Sequence, residues 1–317
     1  MSRPSCASWP SREREKTQGG VARHADVAER APLRVHLVML AVVATWGAAF
    51  TAIKIGLEAL SPWHLTLYRF AVAAPLFAAL LVLAGVPRFD RADRWKIAFV
   101  SVFSVAGYHF ALNYGETAVS AGTAAIVVAT SPLWTALISA RLLRESITSF
   151  KLAGIALALA GVVVTVTLGA GRAIDVSYGL GALVVLMAPI VWACVSVVSK
   201  PLVLRYGAIP FSASTTLLGT ALLLPILALG PGPVLALPAG AALAVLFLGL
   251  FATVGGYVGF NYALRHLTPT ETMAYVYLNP LFALLWGALF AGEAPTAFVL
   301  AGAALVLAGV ALVNWRR

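Results

Sequence analysis

Two stretches decide how this chain has to be read: "WGAAFTAIK", residues 46–54, and "WACVSVVSK", residues 192–200. Each opens on a tryptophan and closes eight positions later on a lysine, within an otherwise apolar run. A lysine inside such a run is costly in hydrocarbon and needs a reason to be there. Finding it twice at the same spacing points to a sequence that repeats itself.

The chain around these stretches has 317 residues, of which 61% are hydrophobic and 11% charged, with a mean hydropathy of +0.92. That leaves too little polar surface to cover a water-soluble body of this size. Apolar blocks of about 20 residues, the length that crosses about 30 Å of hydrocarbon, follow one another with little interruption. They read as helices, because barrel strands would be shorter and would alternate. Pro and Gly mark the gaps at "LSP", "AGVPRFDRADR", "LGAGRAID", "GPGP" and "LTPTE". The expected helices are 35–57, 63–85, 95–115, 118–140, 150–169, 178–199, 210–230, 239–263, 269–291 and 296–314. The fold class is thus an all-α integral membrane protein with ten transmembrane helices.

Residues 1–34 are polar and of mixed charge, and are expected to be a disordered basic tail. The apolar block that follows is too long for a signal-peptide core and reads as a retained first membrane helix. The basic gaps hold Arg88, Arg91, Arg94, Lys96, Arg141, Arg144, Lys151, Arg205 and Arg265, and the chain closes on Arg316 and Arg317; the alternate gaps hold Arg172. The positive-inside rule then places both termini in the cytoplasm of a multi-pass protein of the plasma or inner membrane. The net charge of +10 is an orientation signal, since its positives do not gather on one surface with interleaved aromatics as a nucleic-acid site requires. Cys6 and Cys194 form neither a disulfide framework nor a metal-ligand pattern, so neither metal nor cofactor is expected.

An offset of 148 lays one half of the chain on the other without a gap: Gly107 meets Gly255, Asn113 meets Asn261, Pro132 meets Pro280, Glu145 meets Glu293 and Gly161 meets Gly309. An offset of 146 brings Trp46 onto Trp192 and Lys54 onto Lys200. Five helices per half is an odd number, so the second half enters the membrane from the opposite side. The halves, 35–170 and 178–315, are therefore expected to be inverted repeats, an arrangement that suits alternating access.

Residues 46–76, "WGAAFTAIKIGLEALSPWHLTLYRFAVAAPL", resemble the first two helices of EamA-type proteins of the drug/metabolite transporter superfamily. Residues 111–164, from "ALNYGETAVS" to "LAGVVV", resemble their third to fifth helices, and residues 261–313 resemble the same block again. The resemblance covers about residues 35–315 and implies a ten-helix secondary carrier of small metabolites, often an exporter, with a central cavity near the midplane. One departure is "LRE", where Arg144 stands in place of the family's glycine; "AGE" at 291–293 keeps it.

Lys54, which matches a lysine of the family pattern, is a candidate for attracting a substrate carboxylate or pairing with Glu116; snorkelling to the headgroups is the plainer role for it and for Lys200. Arg69 lies about 9 Å into the second helix, deep enough to need a partner if it faces inward, or else it snorkels. His109, Asn113 and Glu116 fall on one helical face. For the asparagine, helix-to-helix hydrogen bonding competes with a substrate role. His109 and Glu116 also titrate and are the proton-coupling candidates. Tyr257 and Asn261 continue the stripe in the repeat, and Thr272, Tyr275 and Asn279 share a face of the ninth helix. Trp46 and Trp192 are placed to line a cavity. The substrate-site candidates are Trp46, Lys54, Arg69, His109, Asn113, Trp192, Tyr257, Asn261 and Tyr275. Glu271 is expected to be solvated or paired with Arg265, and Glu145 with Arg141; Pro132 and Pro280 are expected to bend their helices.

The function this supports is a secondary transporter of a small polar metabolite or drug-like compound working by alternating access, with export the favoured direction over import and proton coupling one option beside facilitated exchange. The alternative is an intramembrane enzyme acting on a lipid-linked substrate. It would rest on His109 and Glu116 alone, because HExxH, GxSxG and paired aspartates are missing from the sequence. The absence of GxxxxGK[ST] argues against ATP drive by this chain. The expected partners are a small-molecule substrate and the lipid bilayer, without nucleic acid, and homodimerisation is left open.

Overall fold

A computed structural model describes residues 32–143, 149–168, 176–230, 236–290, 292 and 294–313. The expectations for the tail 1–31, Arg144, Glu145, Arg172, the loop 231–235, Glu293 and the closing arginines lie outside these residues. Among the described residues all regular structure is helical. Eight helical segments are long and apolar enough to cross a membrane: α1 Leu33–Leu57, α2 Pro62–Ala84, α3 Arg91–Glu116, α4 Ala121–Arg141, α6 Ser177–Tyr206, α7 Ala208–Ala228, α8 Ala239–His266 and α9 Pro269–Phe290. Two more helices, α5 Ser149–Leu168 and α10 Ala297–Val313, carry shorter apolar stretches, Leu152–Thr165 and Ala297–Gly309. Large apolar side chains stay on the outside, among them Val82, Leu83, Leu183, Leu243, Phe251 and Leu281. A surface of that kind suits hydrocarbon, and the chain is a multi-pass membrane protein.

Local chemistry sets the boundaries. Ser61 and Ser120 accept hydrogen bonds from the backbone N–H of His64 and Thr123, capping α2 and α4. Thr268 and Glu271 form a reciprocal capping box that starts α9, with Pro269 at its first position. Glu271 is thereby engaged at a helix start, a role the expected pairing with Arg265 did not foresee. Gly207, at φ +87°, makes the abrupt turn from α6 to α7 in a conformation other residues resist.

The helix expected over 178–199 runs on through Pro201 to Tyr206. Proline removes its own N–H, but Leu202 and Val203 beyond it are fully buried, and this packing holds the last turns. In α4 the helix ends at Val128 and restarts at Ser131, before Pro132. In α9 a 3₁₀ stretch, Tyr275–Leu278, precedes a restart at Asn279, before Pro280. α3 and α8 each widen into a π-helical segment, Phe103–Gly107 and Leu248–Gly255, whose ends differ in number by 148.

α3 packs on α6, α2 on α7, α4 on α6 and α9, and α5 along α10. The last pair approaches through glycines: a Cβ on Gly161 would lie 2.6 Å from the Gly302 carbonyl oxygen. At the end of the bundle where the basic residues gather, Arg205 Nη1 donates to Asp90 Oδ2 (2.9 Å) and Asp93 Oδ2 (2.8 Å). Tyr206 donates to the same Asp93 oxygen at 2.9 Å, and Lys96 donates to its partner oxygen at 3.2 Å. This cluster ties the start of α3 to the end of α6.

Candidate functional site

The buried arginine is the natural starting point. Arg69, on α2, is 3% exposed. Its Nε donates to Thr253 Oγ1 at 2.7 Å, and its Nη1 donates to His109 Nδ1 at 3.2 Å. Thr253 lies in the π segment of α8 and sends its own proton five residues back, to the Leu248 carbonyl (2.8 Å). His109 follows the π segment of α3, and its Nε2 lies 3.0 Å from the Tyr257 hydroxyl, which donates to the Ser104 carbonyl at 2.8 Å.

The direction of these bonds fixes the tautomer. Arginine only donates, so His109 Nδ1 accepts; Tyr257 spends its proton on Ser104, so His109 Nε2 carries the hydrogen. The imidazole is therefore neutral, and Arg69 is held by neutral oxygen and nitrogen atoms. Glu116 is fully buried on the same helix as His109.

Beside this hydrogen-bonded series is a narrow cavity of about 30 Å³. Its polar and aromatic wall is Trp46, Arg69, Tyr108, His109, Trp192, Tyr257 and Asn279. Its apolar wall is Ala49, Phe50, Ile53 and Leu112. The indole rings of Trp46 and Trp192 meet edge to face at 5.6 Å, and Phe260 closes on them at 5.6 and 5.4 Å. These contacts form an aromatic floor.

Of the residues singled out from the sequence, Trp46, Arg69, His109, Trp192 and Tyr257 line this cavity, whereas Lys54, Asn113, Asn261 and Tyr275 are held elsewhere. Lys54 Nζ donates to the carbonyls of Glu116 (2.8 Å) and Val119 (2.9 Å), so the expected partner residue is met at its backbone. Lys200 does the same at the end of α8, on Leu264 (2.6 Å) and Leu267 (2.8 Å). Both ammonium groups thus sit at the negative end of a helix. Asn113 Nδ2 donates to Thr66 Oγ1 (2.9 Å), and Asn261 Nδ2 to Ser212 Oγ (2.8 Å), at matching repeat positions. Tyr275 shares a hydrogen bond with His36 Nδ1. Tyr108 was not singled out, and Asn279 was placed on a face but not in the site; the Asn-Pro and Ser-Pro pairs at 279–280 and 131–132 were the available signal.

A helical membrane protein with a buried cation beside a central cavity is the architecture of a small-molecule carrier. The profile of the EamA-like transporter family matches residues 33–167 and again 179–315, and the chain belongs to that family. It is a transporter, and not an enzyme. A protein of Streptantibioticus cattleyicolor named "Probable terminal-alkyne amino-acid exporter" is 34% identical over 278 residues, covering 88% of this chain and 92% of that one. An "Uncharacterized transporter" of Archaeoglobus fulgidus is 33% identical over 285 residues, covering 89% and 99%. The "Uncharacterized inner membrane transporter YedA" of Escherichia coli K12 is 29% identical over 257 residues, covering 80% and 82%. A solved crystal structure superposes with a TM-score of 0.68 at 22% identity, over 90% of this chain and 97% of the other, and shares the fold.

Proposed function

We propose that the chain is a secondary exporter of a small carboxylate-bearing metabolite, working by alternating access in the inner membrane. The observation that carries this is Arg69: a buried guanidinium at a cavity, held by neutral groups, which a carboxylate would satisfy better than they do. The amino-acid exporter among the relatives supports the choice of carboxylate and direction.

The proposed frame is ten spans in two inverted five-helix repeats, 35–170 and 178–315, with both termini cytoplasmic. It is supported by the double family match and by the residues that touch their own counterparts. Trp46 packs on Trp192, and His109 hydrogen-bonds Tyr257. Such self-contacts belong on an axis relating two copies, around which two conformations of similar energy are available. Proton coupling through His109 fits the same geometry. A proton on Nδ1 would turn the acceptor of the Arg69 bond into a donor and release the guanidinium toward the cavity. Glu116 is the second proposed proton carrier.

In proteoliposomes, wild-type protein should take up labelled apolar amino acids, and Arg69→Gln should lower the rate at least tenfold at equal folded protein, consistent with loss of a charge-assisted contact. Equal rates in the two would remove Arg69 from the substrate site.

A further inference from the structure

We propose that Trp192 and Asn279 complete the recognition in this cavity, the indole N–H joining Arg69 on the carboxylate and Asn279 Oδ1 reading a protonated amine next to it, so that the substrate is a zwitterionic α-amino acid. This rests on the reading of Arg69 as the carboxylate site.

The repeat shows why Trp192 is available. Trp46 Nε1 donates to the Ala252 carbonyl at 2.9 Å. It can lie there because Gly256 has no side chain; a Cβ at that position would collide with the indole nitrogen. Counting back by 148, the acceptor for Trp192 would be the Ser104 carbonyl, and the residue in place of Gly256 is Tyr108. Trp192 does not reach that acceptor. Ser104 already accepts from Tyr257, and Tyr108 brings the Cβ that glycine lacks. Trp192 is 6% exposed, and among the described residues its Nε1–H has no hydrogen-bond partner.

Asn279 is the complementary case. It starts the second half of α9, against which Gly47 of α1 packs closely, and it is 2% exposed. Its counterpart, Ser131, satisfies itself by donating to the Val128 carbonyl at 2.6 Å. Asn279 Oδ1 has no partner among the described residues. An unmet donor and an unmet acceptor, both buried and both on the wall that holds Arg69, are costly unless a ligand completes them.

The complementary ligand follows from those atoms. Its carboxylate accepts from Arg69 and the Trp192 N–H, and its ammonium donates to Asn279 Oδ1. An apolar side chain lies against Phe50, Ile53 and Leu112. A zwitterion also enters such a site without net charge, which limits the desolvation cost.

The test measures binding to the purified full-length protein in nanodiscs. L-Norvaline, L-leucine and L-phenylalanine are each compared with the acid lacking the amine: pentanoate, 4-methylpentanoate and 3-phenylpropanoate. The wild type should favour the best-bound amino acid over its des-amino partner by about tenfold or more. Asn279→Leu should erase that preference while carboxylate binding persists. Asn279→Asp, which keeps the acceptor, should retain the preference, and Trp192→Phe should weaken both members of a pair alike. A wild type blind to the amine, or an Asn279→Leu variant that still prefers amino acids, overturns this inference alone. Absence of binding by all six compounds, or binding indifferent to Arg69→Gln, overturns the carboxylate reading and this inference with it.

Discussion

At the scale of single residues, the two lysines that interrupt the apolar runs act as helix-end caps. Each ammonium bridges two carbonyls at the last turn of a neighbouring helix, where the partial negative charge is concentrated. Lys54→Met and Lys200→Met should each destabilise the protein by about 1–3 kcal/mol, read as a fall in Tm in detergent. Transport per folded molecule should survive in both, and a loss of transport without a fall in Tm would return Lys54 to the substrate path. The sequence reveals that these lysines are unusual, and the repeat shows that they are equivalent. Their acceptors could not be read, because a cap supplied from another helix depends on packing. Arg69, His109 and the tryptophans were legible for a simpler reason: polar or amphipathic groups inside apolar runs must face protein or a cavity. Asn279 and Tyr108 escaped because irregular backbone, a 3₁₀ stretch before one and a π segment before the other, turns them away from the direction an ideal helix assigns.

At the scale of the elements, α5 and α10 approach closely. Gly161 and Gly302 face each other, and the atoms nearest an added Cβ on Gly161 include the Gly302 carbonyl oxygen at 2.6 Å and the Val306 backbone nitrogen at 2.7 Å. Backbone cannot rotate aside as a side chain does, so Gly161→Val should separate the pair and destabilise the protein by at least about 1–3 kcal/mol. Thermal unfolding of the purified variant checks this; an unchanged Tm would mean that the contact is dispensable. Most helices could be placed from Pro and Gly punctuation. The passage of α6 through Pro201 and the two π segments could not, since tertiary burial and hydrogen-bond register decide them, whereas the break in α4 falls beside Pro132, which was expected to bend it.

At the scale of the whole molecule, the two halves share a plan and differ in charge. Lys54 and Lys200, Asn113 and Asn261, and Thr66 and Ser212 keep the same contacts in both. Arg69, His109 and Glu116 belong to the first half alone; their counterparts are Thr215, Tyr257 and Leu264. The ion cluster around Asp93 and Arg205 is likewise one-sided, since the positions matching them are Ala241 and Ala59. If the basic end is cytoplasmic, reporter fusions after Arg91, Arg205 and Arg317 read cytoplasmic and fusions after Gly171 and Gly232 read periplasmic. The reverse pattern would invert the proposed orientation.

The claim that one cavity serves both sides of the membrane is tested most directly by counterflow. Proteoliposomes are loaded with an excess of unlabelled amino acid, diluted into a trace of the labelled compound, and followed over time. A carrier that alternates access around Arg69 predicts a transient accumulation of label above its equilibrium level in wild type, and its loss in Arg69→Gln. Simple equilibration of label in wild type, with no overshoot at any internal concentration, would contradict the account.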